Sequence, residues 1–355
     1  MKGILDRALV RLDESMGWGT ARKRVRRVEL HRDGGIVLTL EGPGPRQWFR
    51  VLDGDLTEMT PDTDSHLPLC QERAEEITAG ALEVLSWRPG RRIVLSDRTG
   101  RPRVLKGYRR GRSLAAAERH TRAESALGVQ SGLRTAHLED HHADAECLAF
   151  EFVEGHPVKI DSADAETFRT VGRGLASLRE GLDGAELGSF GATDELEVLD
   201  TLHSRRLELA GELEGWRPLR ARVGSLLADL PADEFTATHR DLHDGQLIAS
   251  GSQVTLLDLD LLTTAHPALD PGNLTAHLQL RALQNAEGAT QHGAELGARA
   301  LLDGMGVTPS LTALRIYQAS SFLRLTLIYA MRPRWFGVVP DLIHFARRSL
   351  ADVDQ

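Results

Sequence analysis

Cysteine is almost absent: Cys70 and Cys147 are the only two in 355 residues. Two thiols cannot supply the bridge framework on which small secreted domains depend, so the expected compartment is the reducing cytoplasm. The opening Met1–Arg7 lacks the long apolar core of an export signal, which supports the same expectation. Long apolar runs are missing as well. The best stretch, Phe322 to Met331, is cut by Arg324 and flanked by Arg315 and Arg332, which argues against a membrane protein. Lysine is rare too, with Lys2, Lys23, Lys106 and Lys159 set against 39 arginines. A chain that uses arginine almost wherever a positive charge will serve makes Lys106 conspicuous. It lies among arginines in Arg101 to Arg110, on an expected strand. A compact ammonium on a thin stem suits a phosphate site that a planar guanidinium would not fit, and the alternative is a solvated edge-strand lysine.

What is present is an ordinary globular composition, 41% hydrophobic and 26% charged, long enough for two or three domains. Charge is distributed unevenly. Residues 151–355 hold 18 Lys+Arg against 29 Asp+Glu, leaving 25 against 22 upstream. A mildly basic first part suits a polyanionic nucleotide, and an acidic second part favours a neutral or cationic small molecule over nucleic acid, although an acidic surface also simply promotes solubility.

Three blocks follow along the chain. Residues 1–75 give a helix-like start, strands over 25–31, 36–40 and 47–52 with a turn at Asp33-Gly34-Gly35, and a Thr/Asp/Pro-rich linker over 61–68. Residues 76–155 change to helix, strand, turn, strand. A helix over 71–85 leads into a strand, Trp87 to Arg91 forms a turn, strands cover 92–96 and 103–107, and an Ala-rich helix covers 113–127. A polar loop over 139–146, with His141-His142, leads to an apolar strand from Cys147 to Gly155. In 156–355 helices are expected over 163–182, 194–213, 218–230, 272–285, 291–305 and 309–331, interrupted only by a hairpin at Leu247 to Leu257.

The chemistry collects around that hairpin. His239 to Gln246 reads His-Arg-Asp-Leu-His-Asp-Gly-Gln, and Asp258 follows the hairpin's second strand. A hairpin brings its ends together, so Asp241 to Gln246 and Asp258 are expected side by side. Phosphoryl transfer needs such a set, a carboxylate to take a proton from the attacking hydroxyl and hard oxygen ligands for magnesium. In the kinase pattern H-R-D-L-x-x-x-N the Asp is the base and the Asn a metal ligand, and here Gln246 stands at the Asn position. A kinase also needs a helix Glu to hold its strand lysine. Glu124 is the expected one, with Glu118 the fallback. A different set, His239 and His243 with Asp241, Asp244 or His266, allows a zinc hydrolase instead, but the helical H-E-x-x-H grammar is absent.

On these residues the chain resembles the aminoglycoside phosphotransferase and choline kinase superfamily over roughly residues 80–350, and within it the maltokinase-like enzymes. Asp241-Leu242-His243-Asp244-Gly245-Gln246 looks like their D-L-H-x-G-Q run, and Trp87 to Arg92 is similar to their R-P-G-R-R turn. Ala265 to Asp270 is similar to G-D-P-x-x-D, with Asp270 kept and His266 in place of the first Asp. The resemblance implies an α+β fold of bilobal protein-kinase type, with a β-rich N-lobe (76–155), a mainly helical C-lobe (156–355), and a cap-like β-sheet segment over 1–75. It also implies ATP and Mg2+ as cofactors and a hydroxyl of a sugar, aminosugar or aminoglycoside as acceptor, in a monomer or homodimer. Asp241 would be the base, Gln246 and Asp258 metal ligands, and Lys106, Glu124, Arg91, Glu151 and Val153 nucleotide contacts. His243, Asp270, Asn273 and His277 would face the acceptor. A catalytically dead kinase fold used as a binding module is the alternative of a different class, and Lys106, Asp241, Gln246 and Asp258 argue against it.

Overall fold

The computed structural model describes residues 4–17, 19, 21–30, 34–42, 46–127, 131–161, 164–182, 187–231, 235–351 and 353. Asp33 of the expected turn and Ala163 of the expected helix start lie outside them. The chain forms two compact units, neither continuous in sequence. One gathers Met1–Met59, Phe190–Asp233 and Pro309–Gln355, and the other Thr60–Ser189 and Glu234–Thr308. The three consecutive blocks expected from the sequence are not these units, since segments distant along the chain share a core.

In the first unit, helix Ile4–Met16 packs the face made by Leu5, Ala8, Leu9 and Leu12. The i, i+4 spacing of that stripe makes it meet a flat partner. The partner is an antiparallel four-stranded sheet in chain order, Val25–Leu30, Ile36–Leu40, Gln47–Leu52 and Asp55–Met59, the last strand being one the sequence pattern hid. Ile36, Leu38, Leu40, Phe49 and Val51 fill the shared core, into which Leu209 and Met331 also reach. Helices Ala192–Ala210, Trp216–Ala228, Leu311–Ala330 and Val339–Ala351 complete the unit; the last of them was also unforeseen. No helix among the described residues is long and apolar enough to cross a membrane.

The second unit is built on a five-stranded antiparallel sheet ordered Leu82–Arg88, Arg92–Asp97, Arg103–Tyr108, Cys147–Glu151, Leu138–His142. The strand Leu138–His142 replaces the polar loop expected there, because its backbone completes the pairing of Cys147–Glu151 at the sheet edge. The expected linker over 61–68 is also corrected. Asp64 in it is buried and accepts hydrogen bonds from Trp87 Nε1 at 3.0 Å and the Gly90 amide at 2.7 Å, so this segment fixes the Trp87 to Arg91 turn. The expected helix over 71–85 is two short helices, Pro68–Glu72 and Ala74–Thr78, before strand Leu82–Arg88.

Helix Ser113–Leu127 matches its expected bounds and lays Ala116, His120 and Ala123 inward. Its amino-terminal end is held by Glu146, which accepts from the amides of Gly111, Arg112 (3.1 Å) and Ser113 (3.0 Å). Partial burial alone would raise the Glu146 carboxyl, but these bonds outweigh it and bring it down to about 2 from 4.5. A depressed folded-state pKa stabilises above the unfolded value and is lost as pH falls through the folded one. The melting-temperature gap between the native chain and Glu146→Gln is therefore expected to be full at pH 7, to shrink below about pH 5 and to vanish near pH 2. A gap unchanged across a thermal-melt series at those pH values would mean that the cap contributes nothing.

Helices Ala165–Gly181 and Gln291–Met305 pack so closely that a Cβ on Gly172 would strike the Leu301 carbonyl, and one on Gly304 the Arg169 carbonyl. Two more strands, Thr236–Thr238 and Thr263–Ala265, pair antiparallel where the sequence suggested only helix or loop. On the other side of Thr263–Ala265, the Gly188 carbonyl accepts from the Thr264 amide at 2.8 Å. The hairpin of Leu247–Ser250 and Gln253–Leu256 joins a further sheet ordered His156–Pro157, Leu247–Ser250, Gln253–Leu256, Leu133–Thr135.

Candidate active site

The hairpin closes with Leu247 opposite Leu256 and Ser250 opposite Gln253, through a turn in which Gly251 takes φ +60°. The Leu257 amide donates to the Gln246 carbonyl at 2.9 Å, so Gln246 and Asp258 face each other from the two ends of the hairpin, as the sequence implied. The segment before Gln246 is held just as firmly. Strand Thr236–Thr238 delivers the wholly buried His239, whose Nε2 donates to the Leu257 carbonyl at 2.8 Å. A carbonyl only accepts, so this fixes the ring proton on Nε2 and leaves Nδ1 to accept from the Asp241 amide at 3.3 Å. His239 thus ties the Asp241 loop to the Asp258 loop.

Asp270, at the start of helix Leu269–Gln284, accepts from the His239 amide at 2.7 Å and the Arg240 amide at 2.9 Å. Its burial raises the carboxyl pKa against the pull of His239 and the two amides. Asn273, also wholly buried, donates to the Leu242 carbonyl at 2.9 Å. Both were expected near an acceptor; the structure instead makes them braces of the loop, whose Arg240 is held at φ +72°. His266 is buried and accepts from the Ala268 amide at 3.1 Å. At this position an imidazole orders the start of the helix where a carboxylate was expected.

Lys106 is buried on strand Arg103–Tyr108, and its Nζ donates to Asp258 Oδ1 at 2.8 Å and Asp260 Oδ1 at 2.7 Å. Tyr108 Oη donates to Asp260 at 2.9 Å, and Arg92 to Asp258 Oδ2 at 2.9 Å. Burial opposes the charged form of Asp258, but Lys106 and Arg92 outweigh it and hold its carboxyl far below the usual carboxylate range. The expected Lys106–Glu124 pair is not formed. Glu124 accepts from His137 Nδ1 at 2.7 Å and raises that histidine's pKa, while Glu118 is exposed. The helix turns Ala116 and His120 toward the cleft, leaving Asp260 to hold the lysine.

A cleft of about 460 Å³ opens above this cluster. Leu85, Val94, Val104, Leu148, Phe150 and Ile248 form its apolar part; Arg92, Lys106, Gln246, Asp258 and Asp260 form the polar end. Glu151 and Val153 line it, and the Glu151 carboxylate is engaged by Arg134 and by the His137 amide at 2.9 Å. Arg91 does not line it. Arg91 is an exposed residue of the turn, whereas Arg92, the first residue of the strand, shares a face with Val94, whose partner is Lys106. Arg92, Asp260 and Tyr108 are the site residues that sequence reasoning passed over as functional groups, and His239, weighed there only as a zinc ligand, is a loop brace.

His243 and His277 stack at 4.8 Å with ring planes 17° apart. His243 Nδ1 accepts from the Gly245 amide at 3.0 Å, and its Nε2 faces the Gln246 side-chain amide at 3.4 Å, so it orients that side chain. Burial lowers its pKa and favours the neutral ring. Asp244 accepts from Arg281 Nε at 2.7 Å. The zinc reading finds poor support here. His239 uses both ring nitrogens and His266 Nδ1 is engaged; His243, Asp244 and His277 do bring their ligand atoms within 4.8 Å of one another, but His243 Nδ1 already accepts from the Gly245 amide and Asp244 is held by Arg281.

A buried lysine and two carboxylates at the end of an apolar cleft, beside a hairpin-positioned amide and a braced Asp loop, form the kind of site that phosphoryl transfer requires. The chain belongs to the phosphotransferase enzyme family, whose sequence model matches residues 89–304, more than half of its length. It is a small-molecule phosphotransferase with a hydroxyl acceptor. No curated protein sequence matches the chain. Among solved structures, a choline kinase from Streptococcus pneumoniae is similar at TM-score 0.55 and 15% identity, covering 79% of this chain and 98% of that one. An aminoglycoside phosphotransferase from Streptomyces rimosus gives TM-score 0.51 and 18% identity, covering 73% of this chain and 97% of that one. A choline/ethanolamine kinase family protein from Mesorhizobium loti gives 0.50 and 17%, covering 81% and 94%. These likenesses show the shared α+β, protein-kinase-like fold.

Proposed function

We propose that this phosphotransferase moves the γ-phosphate of ATP to a hydroxyl of a sugar, aminosugar or aminoglycoside, with Asp241 as the base. The observation that carries the reading is the closure of the hairpin, which sets Gln246 opposite Leu257 and so beside Asp258, within reach of the buried Lys106. The 76–155 block would then supply most of the nucleotide cleft and the later residues the loops.

The residues fit the groups proposed. The apolar part of the cleft suits a flat base, whose edge the backbone near Glu151 to Val153 would read. The Asp258 carboxylate and the Gln246 amide oxygen are the hard donors that magnesium takes, and the amide is preset by His243. Bound magnesium would neutralise charge on the phosphoryl oxygens. Lys106 adds a fixed positive charge to the phosphates, and Asp241, in the loop braced by Asp270 and His239, orients the acceptor hydroxyl and takes its proton.

The acidic composition of residues 151–355 leans toward a cationic acceptor, and the Asp-Leu-His-Asp-Gly-Gln run toward a sugar. The test is nucleotide consumption across a panel of sugars, aminosugars and aminoglycosides. Turnover with at least one member is expected, and silence across the panel with nucleotide bound would overturn the acceptor assignment.

A further inference from the structure

We propose that Arg92 stands in for the metal: in the nucleotide-free protein its guanidinium neutralises Asp258, and it moves to the phosphates when nucleotide binds, so that divalent metal enters with the nucleotide and not before it. The inference rests on the nucleotide reading above and extends it to the order in which the site fills.

Three observations carry it. The first is charge balance. Asp258 and Asp260 face Lys106 and Arg92, two carboxylates against two cations, with Arg92 at 2.9 Å from Asp258 and 3.5 Å from Asp260. A divalent ion added to this neutral set brings two uncompensated charges into a half-buried cleft, which is unfavourable until an anion accompanies it. A nucleotide's phosphates bring that anion and offer Arg92 a new partner. The other ionisable groups acting on the set do not alter the balance: Tyr108 is a hydroxyl donor pushed well above its ordinary pKa by burial and Asp260, burial lowers His120 toward its neutral form, and His239 donates from Nε2 to the Leu257 carbonyl while its Nδ1 accepts from the Asp241 amide, which leaves its ring uncharged.

The second is an unmet donor. Arg92 is among the residues lining the cleft, its NH1 is spent on Asp258, and its Nε is buried with no hydrogen-bond partner. A buried arginine donor without an acceptor is costly unless a ligand supplies one, and a phosphate oxygen matches the fork geometry of a guanidinium. The third is that the side chain can change partners while its backbone stays still. Arg92 opens a strand whose preceding turn is clamped by Asp64 on Gly90, and Arg92 itself is paired with Tyr108 in the sheet. Only the flexible stem has to move, and 30% of the side chain is exposed to allow it.

The test is Mn2+ binding to the full chain without nucleotide, followed by the EPR signal of the free ion. Arg92→Met, which keeps an apolar stem and removes the charge, is expected to bind Mn2+ at least about tenfold more tightly than the native chain. Arg92→Lys, which keeps the charge, is expected to stay within about threefold of it. In a second arm, calorimetry of ATP binding in EDTA is expected to show Arg92→Met about tenfold weaker. Unchanged or weaker Mn2+ binding by Arg92→Met, with a normal thermal melt, would leave Arg92 as a structural ion pair and overturn the proposal. If Arg92→Met does not fold, Arg92→Gln replaces it under the same expectations. A native chain that binds no nucleotide overturns the proposed function, and the Mn2+ arm, which contains no nucleotide, reads the Arg92 contact separately.

Discussion

Asp241→Asn is expected to lower turnover by about three orders of magnitude while leaving nucleotide affinity within about twofold of the native chain. The reason is the division of labour in the site. The groups proposed for the phosphates and the metal, Lys106, Asp258 and Gln246, hang on the sheet and the hairpin, whereas Asp241 belongs to the loop that precedes them. Its side chain is not among those lining the cleft, so the loss of its charge falls on the proton transfer and not on nucleotide binding. Asparagine keeps the shape, so the loop remains bonded through the Asp241 amide to His239 Nδ1. Steady-state turnover with the acceptor found in the panel, alongside calorimetric nucleotide affinity, checks this. Near-native turnover would move the base elsewhere. Asp244 is a poor second choice because Arg281 already holds it at 2.7 Å.

Asp270→Ala is expected to cost about 3 kcal/mol of stability and a large part of the turnover. The substitution orphans the amides of His239 and Arg240 at once, in surroundings where Asp270 is 3% exposed and water cannot easily replace it. Arg240, no longer held at its left-handed φ of +72°, would relax and carry Asp241 with it. Denaturant unfolding gives the first number and the split between kcat and KM gives the role. A brace lowers stability and kcat together; an acceptor contact would raise KM with stability intact. A folded variant of native stability with only a raised KM would restore the acceptor-contact reading of the sequence.

Much of this site could be inferred from local sequence signals, and the failures share one cause. Helices Ser113–Leu127 and Gln291–Met305 have the bounds their apolar periodicity implied, and the Gly251-Ser252 turn between apolar runs correctly implied the hairpin. Such signals act over a few residues. The partners of Lys106 are Asp258 and Asp260, 152 and 154 residues away, and no local pattern chooses between them and a helix glutamate that stands closer in sequence. Arg92 was passed over for Arg91 because only the pairing of Val94 with Lys106 says which face of that strand meets the cleft. Asp64 lies in a stretch whose Pro, Thr and Asp content is that of a linker, and its burial depends on Trp87 folding back over it. The strands Thr236–Thr238 and Thr263–Ala265 are three residues each, too short for alternation to register.

The placement of Gly188 and Thr236–Thr238 on opposite sides of strand Thr263–Ala265 bears on how this chain could have diversified. Neighbours flanking one strand are about 10 Å apart, so the chain leaves the catalytic unit and re-enters it through a narrow doorway. Whatever is threaded between those two points changes the loop-closure entropy only logarithmically with its length. The intervening residues from Phe190 to Asp233 can thus lengthen, shorten or be exchanged with little penalty to the sheets that hold Lys106, Gln246 and Asp258. Such a doorway lets evolution, or an engineer, change the length of that stretch while the sheets bearing the site residues stay in register, provided the core contact of Leu209 in the first unit is kept.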